Sequence, residues 1–152
     1  MVKEESSMMD SIYQQATSVR NDFSTVMDKA IYEKPQLISR TKDQLVLVGA
    51  DMLNIMLQSA IVHVTVEPGD NAKSIYQLEE IPDIFVEADT DTEAFDELSC
   101  DLLDYAQTFY NDFALYSHAP NRIKHIPYVM RAIALGNTKK VREMLVCQAG
   151  RN

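Results

Sequence analysis

Apolar residues recur at Met8, Ile12, Ala16, Val19, Phe23, Val26 and Ala30. Steps of three and four are the helical period, and they predict a first helix over 8–31. Ser7 stands where an N-cap is wanted, and Asp10 suits the positive end of that helix. Lys34-Pro35 closes it, because a residue before proline avoids the α region. Thr41-Lys-Asp-Gln44 then has the form of a capping box and predicts a second helix from Lys42 toward His63. Leu45, Val48, Gly49, Met52, Leu53, Met56, Leu57 and Ala60 cover well over a third of its circumference, so it reads as a central helix. Its tail, Ile61 to Val66, is β-branched and can instead leave as an extended segment.

Glu67-Pro-Gly-Asp70 is the strongest break in the chain. Beyond it, 71–81 reads as a short helix stopped by Pro82. Ile84 to Val86 reads as a packed loop, because an isolated strand has no partner. The clearest helix spans 92–117, capped by Asp91 or Thr92. Phe95, Leu98, Leu102, Tyr105, Phe109, Phe113 and Tyr116 form a near-heptad seam along it. Two shorter helices follow, over 122–135 and 138–148, with Gly136-Asn137 as C-cap and turn. Pro127 marks the first turns of the former. The pattern as a whole predicts an all-α fold, a single-domain bundle of five or six helices with a C-terminal helical hairpin. In that reading 1–152 is one domain, 1–7 is disordered, 67–70 is a turn and 119–152 is a basic hairpin.

Composition narrows the class. With 152 residues, 46% hydrophobic and 24% charged, the chain can bury a core of its own. Four Gly and five Pro are few for a turn-rich sandwich. Cys100 and Cys147 form no disulfide framework and suit a reducing cytoplasm. The polar start carries no apolar signal core. The stretch 45–66 is long enough to span a bilayer, but Asp51 at its heart is costly in lipid, so no membrane role is expected.

Charge is the least ordinary feature. The net charge is −9, which argues against indiscriminate binding to polyanions. Residues 67–104 hold 13 acidic side chains and one basic, Lys73, whereas 118–152 hold seven basic and one acidic, Glu143. Such runs are usually solvated faces. They can equally be partner surfaces, the acidic one for a basic protein and the basic one for phosphates or an acidic partner.

No residue constellation names a reaction. Gly-x-Gly and Gly-Lys-Ser/Thr loops are absent, as is the nucleophile elbow. His63, His118 and His125 lack metal-ligand spacing, and no Cys-x-x-Cys occurs. Glu93, Asp96, Glu97, Asp101 and Asp104 share one helix, whereas a Mg²⁺ site needs carboxylates converging from two. No metal and no cofactor are therefore expected. Around Ala132, Gly136, Asn137, Val141, Met144 and Leu145 the spacing resembles the helix–turn–helix half of an ankyrin repeat. It also resembles a DNA-binding helix-turn-helix, which would put Lys139, Lys140 and Arg142 near phosphates. An ordinary αα-hairpin accounts for the pattern as well.

These readings favour a non-enzymatic, cytoplasmic protein-interaction module: an adaptor, chaperone or regulator using segregated charge. Its partner would be another protein, a second copy of the chain among them. The candidate contact residues are Arg122, Lys124, Arg131, Lys139, Lys140 and Arg142. One alternative is a regulator touching nucleic acid through those same cations. The other is a Mg²⁺-dependent nucleotide hydrolase using the acidic middle.

Overall fold

The computed structural model describes residues 12–148 and divides the chain into two compact units, 1–53 and 54–152. The expected disorder of 1–7, the Ser7 cap and the start of the first helix at Met8 lie outside the described residues.

In the first unit a short strand β1 (Gln14–Gln15) leads into α1 (Ala16–Asn21) and α2 (Phe23–Tyr32). The single helix expected here is broken at Asp22, whose φ of −141° and ψ of 52° are not helical. A hairpin follows, β2 (Gln36–Arg40) and β3 (Asp43–Leu47), paired from Gln36↔Leu47 to Arg40↔Asp43. β1 lies parallel on its other side, with Gln14 opposite Ile38. Thr41, expected in a capping box, instead turns this hairpin with a φ of +54°. α3 (Ala50–Met56) runs across the boundary between the units. Val19, Val26 and Ile38 are the buried centre of the first unit, with Ala16 and Leu47 packed on them.

The second unit holds β4 (Val62–Pro68), β5 (Ser74–Leu78), β6 (Phe85–Ala88), α4 (Asp91–Asn111), α5 (Phe113–Ser117), α6 (Ile126–Leu135), α7 (Thr138–Val141) and β7 (Leu145–Cys147). Short 3-10 turns at Ile123–His125 and Arg142–Met144 precede α6 and β7. The strand order is β6-β5-β4-β7; the first three form an antiparallel meander, and β7 returns parallel to β4. α4, α6 and α7 pack on one face of this unit. Val62, Val64, Tyr76, Leu78, Val86, Leu98, Leu102, Phe109, Val129 and Met144 fill the layer between.

The fold is therefore α/β, with 51% helix and 23% strand, and the all-α bundle is overturned. The reason is periodicity. Val62, Val64 and Val66 alternate with His63, Thr65 and Glu67, a period of two that β-branched side chains stabilise in a sheet. The alternative exit of Ile61–Val66 as an extended segment is the one realised in β4. Residues 74–78 are β5 rather than helix. Phe85–Ala88, expected as loop, finds its partner in β5 through pairs such as Tyr76↔Val86.

Where the helical period is sustained, the sequence reading stands. α4 carries the seam from Phe95 to Phe109, and Thr90 rather than Asp91 or Thr92 caps it, accepting from the Glu93 N–H at 3.2 Å. The single helix expected to Ser117 breaks at Asp112, with a φ of −115° and a ψ of 42°, so Phe113 and Tyr116 fall on α5. Pro127 sits in the first turn of α6, and Gly136 ends that helix with a φ of +82°, a left-handed conformation open to glycine. The last expected helix is cut to four residues, because Leu145–Cys147 leave it to pair with β4. The C-terminal helical hairpin is corrected by this strand, which replaces the expected second helix from Leu145 onward.

Candidate functional site

The six cations singled out from the sequence all lie in the second unit, but they do not form one free patch. Arg122 is anchored three ways. Its guanidinium sits 5.8 and 5.3 Å from the centres of the Tyr105 and Tyr116 rings, it donates to the Tyr105 hydroxyl at 3.1 Å, and it pairs with Asp83 at 3.3 Å. Arg131 donates to the backbone carbonyls of Ala60 at 2.8 Å and Gln58 at 3.3 Å, tying α6 to the segment before β4. Arg142 pairs with Asp96 and lies 5.9 Å from the centre of the Phe95 ring. Lys124, Lys139 and Lys140 are exposed, and none makes a salt bridge among the described residues. Lys139 and Arg142 share a shallow cleft with Asp96, Ser99, Cys100 and Thr138.

Arg122 belongs to a network that the sequence does not announce. His125 is buried, and its Nδ1 lies 2.7 Å from the Tyr105 hydroxyl, which also accepts from Arg122. Burial, then the positive charges of Arg122 and Lys124, hold the His125 pKa below its ordinary value. The network stitches the 3-10 turn before α6 to α4 and to the loop after β5.

The acidic residues divide similarly. Glu93, Asp96, Glu97 and Asp104 are exposed along α4. Asp101 is half-buried, and desolvation followed by Glu97 and Asp104 raises its pKa. Among the described residues, the group that brings metal-type ligand atoms together is elsewhere: His63, Glu79 and Glu80, within 4.8 Å of one another. His63 faces away from the core on β4. Glu80 accepts from its backbone N–H at 2.8 Å and also meets its ring Nδ1. That contact, more than any other, raises the imidazole pKa. Glu79 accepts from the Gln148 side chain. One imidazole and two carboxylates could hold a cation, yet each is already engaged with a neighbour in the chain.

Two surfaces are less committed. In the first unit α2 buries Val26 and Ala30 but leaves Phe23, Met27 and Ile31 at 48%, 39% and 61% exposure. Their four-residue spacing makes a second apolar stripe beside the buried one. On the same unit, Leu45 and Val46 of β3 are 50% and 55% exposed, and Tyr32 at the end of α2 is 81% exposed. A groove of about 170 Å³ is lined there by Met27, Ala30, Ile31, Leu47, Val48 and Gly49. Apolar spacing in the sequence marked Phe23 and Val26 as one core face; the helix presents them to different surroundings. In the second unit, the face of the sheet opposite the helices carries Thr65, Ile75, Gln77 and Phe85 with carboxylates among them.

Among the described residues no helix is long and apolar enough to cross a membrane.

No curated protein matches the sequence. A solved structure from Syntrophomonas wolfei subsp. wolfei, described as an antitoxin part of a proposed toxin/antitoxin system, is similar to this one. Its TM-score is 0.83 at 29% identity, over 90% of this chain and 97% of that chain. A family model described as PHD-like, antitoxin of toxin-antitoxin, RelE / RelB, TA system, matches residues 9–147. The chain belongs to this PHD-like antitoxin family.

Proposed function

We propose that this protein binds a RelE-type toxin and holds it inactive, and that it does so as a dimer built through its first unit. Family membership supports the protein-binding, regulatory role. The observation that carries the dimer is the exposed stripe Phe23, Met27, Ile31, whose Met27 and Ile31 line an apolar groove with Leu47 and Val48. A unit of this size whose buried cluster, among the described residues, is Val19, Val26 and Ile38 is marginal alone. An apolar patch left open on it marks an interaction surface. The stripe carries no charge of either sign, which suits a self-complementary, two-fold contact.

Nucleic-acid contact through the C-terminal cations has less support. Three of the six are held inside the second unit by Asp83, Asp96, aromatic rings and backbone carbonyls.

The test is co-expression with a RelE-type toxin from the same genome. Growth restored by the chain, with both proteins eluting as one complex, supports the reading. Toxicity unchanged by the chain overturns it. Light scattering on the chain alone should give twice the monomer mass, and Met27→Glu with Ile31→Glu should halve it.

A further inference from the structure

The outer face of the second unit's sheet has a composition that the fold does not need. Strand periodicity sends Val62, Val64, Tyr76, Leu78 and Val86 inward, under the helices. The intervening residues form ordered rows on the other side. Phe85, Gln77 and Thr65 stand side by side across β6, β5 and β4, and so do Glu87, Ile75 and Glu67. Ile75 thus lies between two carboxylates, each one strand away, or roughly 4.8 Å in the pairing direction. Phe85 is 60% exposed, and Val146 of β7, beside His63, is 43% exposed.

No lysine or arginine occurs on any of the four strands, and Lys73 lies in the turn between β4 and β5. Glu67 and Glu87 make no salt bridge among the described residues. Cross-strand neighbours of opposite charge would stabilise a sheet, and this face forgoes that contribution.

Resting on the antitoxin reading above, we propose that this face is where the toxin docks, and that it is shaped for a basic protein surface. Glu67 and Glu87 stand about 10 Å apart, two strand spacings, which is too far for one cation to bind both. A phosphate backbone would be repelled. Arginine or lysine side chains fit: their aliphatic stems cover Ile75 and their heads reach the two carboxylates. Phe85 offers its ring to a guanidinium. The surrounding negative field would speed encounter with such a partner and weaken as salt rises.

The probe is a twelve-residue peptide alternating Arg and Val, with a Glu–Val peptide as control, titrated into the ¹⁵N-labelled full chain. Saturable shifts at the Thr65, Ile75, Gln77 and Phe85 amides are expected with the Arg peptide and not with the Glu peptide. Glu67→Lys with Glu87→Lys should weaken binding by at least about tenfold. If that variant does not fold, Glu67→Gln with Glu87→Gln removes the charges at nearly constant shape and should weaken binding in the same direction. Shifts confined to the α4 carboxylates, or equal affinity in the charge variant, would overturn the proposal. So would concentration-dependent shifts of the same amides without peptide, which would assign the face to a second copy. Co-expression with the RelE-type toxin separates the two readings. A toxin complex that survives Glu67→Lys/Glu87→Lys unweakened sinks the sheet face and leaves the antitoxin reading standing. Failure of the unaltered chain to bind the toxin removes both.

Discussion

The Tyr105 hydroxyl and His125 Nδ1 stand 2.7 Å apart on either side of the join between α4 and the turn that starts α6. Because His125 is buried and its pKa is lowered, the folded state favours the neutral ring. Between the lowered value and the ordinary 6.5, the unfolded chain binds a proton that the folded chain does not. This contribution to stability is full above about pH 6.5 and is lost as pH falls through the folded value. Urea midpoints should therefore decline from pH 7 toward pH 5. His125→Asn keeps an acceptor for Tyr105 and removes the titration, so its decline should be shallower. An acid limb as steep as that of the unaltered chain would assign the loss to other groups.

His63 carries the opposite sign. Its raised pKa means that the folded state holds the proton more tightly, through Glu80. That contribution is present below pH 6.5 and is lost as pH rises through the folded value. The ring is partly exposed, so water screens the pair. Glu80→Gln should lower the imidazole pKa seen by proton NMR while moving the melting temperature little. An unchanged His63 titration would mean that Glu80 does not govern it.

Tyr76, nearly fully buried on β5, donates to Asp91 Oδ1 at 2.6 Å in the first turn of α4. That bond, reinforced by burial, takes the phenol pKa up to about 12. Tyr76→Phe should cost about 1–2 kcal/mol, as loss of a charge-assisted hydrogen bond does. Asp91→Ala should cost a similar amount, and the double variant less than the two together. Full additivity in urea unfolding would show that the two side chains do not act as a pair.

How much of this was legible beforehand depends on the length over which each signal repeats. The seam from Phe95 to Phe109 on α4 sustains its period across several turns, so helix and buried face are readable from spacing alone. Val62–Val66 and Ile75–Leu78 are too short for that. An alternation over four or five residues is a weak signal, and what decides is a partner strand that spacing along the chain does not reveal. Ile84–Val86 looks partnerless only while Ser74–Leu78 is taken for helix. The cations were visible as a group, but their engagements were not: Asp83 and Asp96 lie 39 and 46 residues from Arg122 and Arg142. The sheet's outer face depends on the same unread register. Only its acidic bias was present, in the composition of 67–104.

Phe109 is fully buried in the seam, in edge contact with Tyr105 and Phe113 and stacked on Tyr116 with ring centres 5.1 Å apart. Phe109→Ala should destabilise by about 3–5 kcal/mol, the cost of removing a large core side chain and leaving a cavity. A change below about 1 kcal/mol in urea unfolding would mean that neighbours collapse into the space or that the seam is not core.

Arg142 separates a charge that only faces solvent from one that also packs. Lys139 and Lys140 are exposed and make no salt bridge among the described residues, so Lys139→Glu with Lys140→Glu should shift stability by no more than about 0.5 kcal/mol. Arg142 pairs with Asp96 on α4, and its guanidinium lies against the Phe95 ring. Arg142→Glu puts two carboxylates together at that contact and removes the cation from the ring. It should cost about 1–2 kcal/mol, more than an exposed pair alone contributes, because packing is lost with the charge. Adding Asp96→Arg restores an opposite-charge pair but not the cation over Phe95. The swapped double variant should therefore recover only part of the loss. Full recovery would reduce Arg142 to its ion pair, and no loss in Arg142→Glu would make all three cations a solvated face.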